Sequence, residues 1–174
     1  MQWFFYGTLL DPDIRRHVFP HVADGLTLLP ADLAGYRRYR CKGASYPVVV
    51  PGRGGRVPGL VAQGLDERAV LRVAHFEGAE YEPREVELRL AGGGRTRAWL
   101  FMPRRRALAT GEAWSYERWL RLEKRRIMPK VHFWMNQCGV ETLSSPELLW
   151  HVRRQIRRIA ETARPPEIAW RLAA

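Results

Sequence analysis

Residues 84–90 run Arg-Glu-Val-Glu-Leu-Arg-Leu, charged and apolar side chains alternating at a period of two. That period fits an extended strand with one wet and one dry face, and it does not fit a helix. Gly92-Gly93-Gly94 then turns the chain, and residues 96–102 supply a partner strand. The same pattern holds upstream. Residues 3–6 form an aromatic run that stops at Gly7, and from 25 to 50 short apolar runs alternate with turn formers. Pro51-Gly52-Arg53-Gly54-Gly55-Arg56 reads as a turn with a strand resuming over 57–65, so a hairpin is expected there. Several short strands between glycine-rich turns predict an antiparallel or mixed sheet curling toward a barrel.

Helices punctuate this pattern. Asp11 is placed to cap a helix whose first position is Pro12. Asp66 begins a short helical segment through Phe76 that Gly78 ends. After Pro103 the composition changes: residues 114–122 carry an apolar stripe at helical spacing, and residues 147–162 do the same with Leu148, Val152, Ile156 and Ile159 on one face. The expected organisation is an α+β core over residues 1–103 and a basic helical C-terminal extension, residues 104–174, packed on it.

A chain of 174 residues, 46% hydrophobic with seven tryptophans, suits one packed domain. Its N-terminus lacks the features of a secretory signal. No apolar run approaches the roughly 20 residues needed to cross a bilayer, so no membrane role is expected and the location is read as cytoplasmic. Two cysteines, Cys41 and Cys138, without a CxxC spacing indicate neither a disulfide framework nor a zinc cluster. The net charge of +11 is uneven: residues 1–103 hold 14 basic and 11 acidic side chains, residues 104–174 hold 15 and 7. Such a surface attracts anions. A nucleic-acid partner is nevertheless disfavoured, because no stacking-aromatic or recognition-helix motif accompanies the arginines.

Two clusters carry chemistry: Phe5-Tyr6-Gly7-Thr8-Leu9, and Phe76-Glu77-Gly78-Ala79-Glu80-Tyr81. Alone, each is weak, since a glutamate before a glycine reads first as a helix end. Together, in this order, they resemble the γ-glutamylcyclotransferases and the related AIG2-like proteins. Tyr6-Gly7-Thr8-Leu9 matches that family's loop after the first strand, and Tyr46-Pro47 and Gly59-Leu60 match later segments. Phe76-Glu77-Gly78 with Tyr81, Arg84 and Val86-Glu87-Leu88 matches its central pattern. The resemblance covers roughly residues 3–103. One departure stands out: Ala74-His75 occupies the place where the family pattern carries Leu-Asp.

The resemblance implies a small mixed β-barrel of the γ-glutamylcyclotransferase-like type and a cofactor-independent intramolecular aminolysis. The α-amine of a γ-glutamyl group attacks its own γ-carbonyl, forming 5-oxoproline and releasing an amine. Glu77 is then the candidate general acid/base. Tyr6, Gly7, Thr8 and Leu9 are candidates to hold the substrate through backbone N–H groups. Tyr81 would orient Glu77 or the substrate, or serve as a core tyrosine, and Tyr46 with Pro47 would line the pocket. Which amine leaves depends on pocket shape, to which residues 104–174 are candidates to contribute. Oligomeric state stays open.

Other readings draw less support from the residues. His17 and His21 lie four apart, but Pro20 breaks the helix between them, so no metal site is expected. His75 lies two residues from Glu77, a spacing that does not bring side chains together on a helix. No GxSxG elbow supports a serine hydrolase. The main alternative is a small-molecule-binding protein that keeps the fold without turnover.

Overall fold

A computed structural model describes residues 2–78, 80–105, 108–138 and Arg154. The elements in order are β1 (Gln2–Phe5), a 3-10 turn (Thr8–Leu10), α1 (Pro12–Val18), a second 3-10 turn (Ala23–Gly25), β2 (Thr27–Cys41) and β3 (Pro47–Gln63). There follow α2 (Glu67–Glu77), β4 (Tyr81–Leu90), β5 (Arg95–Pro103), β6 (Ala109–Ala113), α3 (Tyr116–Leu122) and α4 (Lys124–Asn136). The helix expected over 147–162 lies outside the described residues, Arg154 excepted.

Five strands close on themselves in the order β3, β1, β5, β4, β2 and back to β3, with β6 added to β2. Every pairing is antiparallel except that of β1 with β5, where Trp3 faces Trp99. The small mixed barrel expected from the resemblance is the fold found. Alternation along the strands sorts the core into two clusters. Phe4, Leu33, Val57, Val61, Leu88 and Leu100 pack in the barrel interior, while Trp3, Phe5, Ile14, Val18, Phe19, Val73 and Trp119 fill the layer between barrel and helices. Each buried Leu, Val or Phe contributes about 1.5–3 kcal/mol of transfer free energy.

The expected hairpin at residues 51–56 is not there. Residues 47–63 form one strand, β3, and the hairpin partner is β2, joined to it through residues 42–46. The pairing runs Arg40↔Pro47 to Tyr36↔Pro51, then jumps to Ala34↔Arg56, so the glycine-rich stretch is a bulge inside a strand and not its end. Glycine is needed for contact as much as for turning: a Cβ on Gly55 would run into the Tyr36 carbonyl and lie 2.7 Å from Arg37 Cγ.

The helices cover one side of the barrel. The Asp11 carboxylate accepts from Asp13 N and Ile14 N at 2.9 and 3.2 Å, capping α1 as its sequence predicts. The Asp66 carboxylate accepts from Ala69 N at 2.8 Å at the start of α2, and Gly78, at φ 76°, ends it. α3 begins behind the Ser115 cap, so Trp114 precedes it. α4 docks on α1 and α2. Lys124 Nζ reaches Asp11 Oδ2 at 2.8 Å and Asp13 Oδ2 at 2.7 Å, and the Arg72 guanidinium donates to the carbonyls of Val18, His17 and Cys138. No helix among the described residues is long and apolar enough to cross a membrane.

Candidate active site

Strand β1 delivers the chain into the 3-10 turn at Thr8, and no side chain caps that turn. The first N–H groups of a helical turn have no intrahelical acceptor, so those of this loop are available to a ligand. Two arginines, Arg15 buried and Arg38 half-buried, fix the opposite face of the backbone. Arg38 Nη1 donates to Tyr6 O at 2.6 Å, and Arg15 Nη1 donates to Leu9 O and Leu10 O at 2.9 and 2.8 Å. Because a peptide group is planar and trans, pinning the Tyr6 carbonyl turns the Gly7 N–H the other way. Gly7 packs against Pro47, whose Cγ would stand 3.1 Å from a Cβ at that position.

Glu77 is the last residue of α2 and lines a cavity of about 250 Å³. The side chain is half-buried, and the protein packed around its carboxyl displaces bulk water. This burial alone pushes its carboxyl up to about 8. Among the described residues no cation pairs with it and no donor hydrogen-bonds to it. Much of the cavity's lining is apolar and aromatic, Trp3, Phe76 and Phe101 among it. A neutral carboxyl is therefore the favoured form near neutral pH.

Tyr6, Gly7, Thr8, Leu9, Tyr46, Glu77 and Tyr81, which the sequence singles out from two clusters and a strand, all line this one cavity. Burial first, and the Glu77 charge after it, raises the phenols of Tyr6 and Tyr81; burial also leads the rise at Tyr46, with Glu77 a lesser cause. Their hydroxyls are engaged elsewhere. Tyr6 Oη donates to Phe101 O at 2.6 Å and ties the loop to β5. Tyr81 Oη donates to Pro47 O at 3.4 Å, so its hydrogen bond goes to the pocket wall and not to Glu77.

Residues 104–174, candidates from the sequence to shape the pocket, do contribute to it, through residues the sequence reading did not single out. Ile127, Lys130, Val131 and Trp134 of α4 complete the cavity. Ile127, Val131 and Trp134 follow helical spacing, a signal present in the sequence but interrupted by Pro129 inside the helix. Arg15 and Arg38 were equally hidden, since each stands beside a second arginine. His75 takes no part in a dyad. It is buried, and its ring stacks on that of Trp134. His17 and His21 diverge: one packs edge-on against His132 and the other contacts Asp66 at 3.0 Å.

Residues 3–121 match the family model described as gamma-glutamyl cyclotransferase, AIG2-like. AIG2-like protein B of Arabidopsis thaliana is 30% identical over 130 residues, 72% of each chain. AIG2-like protein A of the same plant is 29% identical over 128 residues, 72% of this chain and 75% of that one. A solution structure of an Arabidopsis thaliana protein superposes with a TM-score of 0.56 at 26% identity, covering 74% of this chain and 86% of the other. A second Arabidopsis solution structure, 24% identical, shares the fold with a TM-score of 0.56 over 97% and 93% of the two chains.

Proposed function

This chain belongs to the gamma-glutamyl cyclotransferase, AIG2-like family, and on that premise we propose that it closes a γ-glutamyl amine or peptide to 5-oxoproline, with Glu77 as general acid/base. The observation that carries the reading is a carboxyl raised to about 8 by burial, in the same cavity as the Tyr6–Leu9 loop.

The chemistry follows from proton accounting. The substrate's α-amine must lose a proton before its nitrogen attacks the γ-carbonyl carbon. An α-amine titrates near about 8, so the exchange with Glu77 is nearly thermoneutral, the condition under which acid–base catalysis is efficient. A new C–N bond closes the lactam, and the carbonyl oxygen takes up negative charge. The N–H groups of Gly7, Thr8 and Leu9 supply donors for that charge or for the glutamyl carboxylate. As the original C–N bond breaks, Glu77 returns the proton to the leaving nitrogen, and the second proton of the ring nitrogen then passes to the freed carboxylate or to the released amine, leaving the neutral lactam N–H. Neither water nor an external nucleophile enters, and a cavity of about 250 Å³ with aromatic walls favours a folded substrate.

The Ala74-His75 departure from the family pattern would favour a binding-only reading if it served no structural purpose. Docking of α4 accounts for it independently of turnover, because His75 contacts Trp134 and not the cavity's carboxyl. The test is 5-oxoproline release from a panel of γ-glutamyl dipeptides and amines, wild type against Glu77→Gln. Release that falls by about 10²–10⁴-fold in a folded variant is the expected result. No release from any panel member by the wild type overturns the proposal in favour of a binding role.

A further inference from the structure

A second, more open cavity of about 630 Å³ adjoins the one that holds Glu77, and the two share Tyr46, Ile127 and Lys130 in their linings. The outer cavity is lined by three cations, Arg40, Arg126 and Lys130, and by two acids, Glu112 and Glu123. Both acids are already committed. Glu123 Oε1 takes Arg40 Nη2 at 3.2 Å, and Glu112 Oε1 takes Arg118 Nη1 at 2.6 Å. Glu80, whose charge bears on Tyr46, is not part of the lining. Arg126 and Lys130 are left without an acidic partner among the described residues. They stand four apart on α4, hence on one helix face.

From this we infer that Arg126 and Lys130 form the subsite for the leaving half of the substrate and select an amine that carries a carboxylate. The inference rests on the reaction proposed above. The glutamyl end must lie beside Glu77 in the inner cavity, so the group released from the γ-carbonyl extends past Tyr46 and Lys130 into the outer one. An amino-acid or peptide leaving group then meets two cations held out by a rigid helix. A neutral alkylamine meets the same cations with nothing to offset them. Apolar lining at Ile127 accommodates the stem of the leaving group while the charges take its end. The selectivity is set by α4, a helix outside the two sequence clusters that define the loop and the carboxyl.

The experiment compares γ-glutamylglycine with γ-glutamylglycinamide, which differ only in the terminal carboxylate, in the wild type, Arg126→Gln/Lys130→Gln and Lys130→Arg. Exposed charge pairs are weak and screened, so the wild type is expected to favour the acid by about three- to tenfold in kcat/KM, expressed in KM. Added salt narrows the gap. The double variant brings the acid-to-amide ratio toward one, and Lys130→Arg keeps most of it. A wild type indifferent to the carboxylate, or a ratio unmoved in the double variant, overturns the inference. If neither compound yields 5-oxoproline, turnover of the wider panel decides the reaction proposed above, and calorimetric titration of the same pair decides the subsite. Acid-favoured binding that the double variant loses upholds it; equal or absent binding overturns it.

Discussion

The rings of His75 and Trp134 lie parallel, centroids 4.8 Å apart at 14°, and each residue donates a ring N–H to the other's backbone carbonyl. His75 Nε2 reaches Trp134 O at 3.2 Å, and Trp134 Nε1 reaches His75 O at 3.1 Å. This reciprocal pair clips α4 to α2 and thereby sets one wall of the cavity. Replacing His75 by Asp puts an acceptor-only carboxylate against an acceptor carbonyl and removes the stack. His75→Asp is predicted to lower stability by about 2–4 kcal/mol and His75→Asn by less, because an amide still donates. Urea melts of the two variants check the order, and an Asp variant as stable as the wild type removes the clip from the argument.

The pH dependence of catalysis follows from one shared proton. In the reaction proposed above, the productive complex would hold a single proton between Glu77, at about 8, and an α-amine near the same value. Below that range both groups are protonated and above it neither is. A plot of kcat/KM against pH is therefore predicted to be bell-shaped with its maximum near 8, falling about tenfold per unit on the acid side. A plateau extending down to pH 5 would falsify the assignment of the raised carboxyl as base.

The same group leaves a signature in stability. Its folded pKa, about 8, lies above the unfolded value of roughly 4.3, so the folded state binds the proton more tightly. Its stabilising share is complete below pH 4.3 and is lost progressively as the pH climbs through 8. At pH 7 the deficit is on the order of 3 kcal/mol relative to a residue that never ionises. Glu77→Gln is predicted to melt higher than the wild type at pH 7–8 and to lose the decline between pH 5 and 8. Thermal melts across that range decide it, and parallel curves for the two proteins would contradict it.

What the sequence revealed and what it hid divide along physical lines. Local, periodic signals read through: the alternation of 84–90 became β4, Asp66 and Gly78 bracket α2, and Asp11 caps α1. The glycine-rich 51–56 stretch misled because a bulge and a turn demand the same backbone freedom, and only the partner strand distinguishes them. In the site, the loop and Glu77 were legible because short motifs carry them. The α4 wall was not, because Pro129 breaks the helical reading and the docking contacts of that helix come from residues far away in sequence. The arginines behind the loop escaped for the opposite reason. Nothing local separates Arg15, which is buried, from Arg16, which is exposed and paired with Asp24.

Gly59 offers a mechanical test of how β1 positions the loop. A Cβ there would run into the Phe5 carbonyl and lie 2.6 Å from Phe4 Cζ. Both neighbours belong to β1, which ends where the loop begins. Gly59→Ala is predicted to cost about 1–3 kcal/mol through overpacking and to raise KM by displacing residues 6–9. Melting curves and steady-state kinetics measure the two effects, and an unchanged protein would show that β1 yields without cost.

β1 is four residues long and lies between β3 and β5, with Phe4 paired to Val61 and Trp3 to Trp99. The bond from Tyr6 to Phe101 joins residues 95 positions apart. A nascent chain that has exposed its first strand holds neither of that strand's neighbours, and pairings of such separation must meet their loop-closure entropy before any contact rewards them. The loop that would grip a substrate thus acquires its shape only once β5 has been synthesised and the barrel has shut. Partly folded chains in a cell would carry the whole motif and none of its affinity, so that competence to bind marks the end of folding.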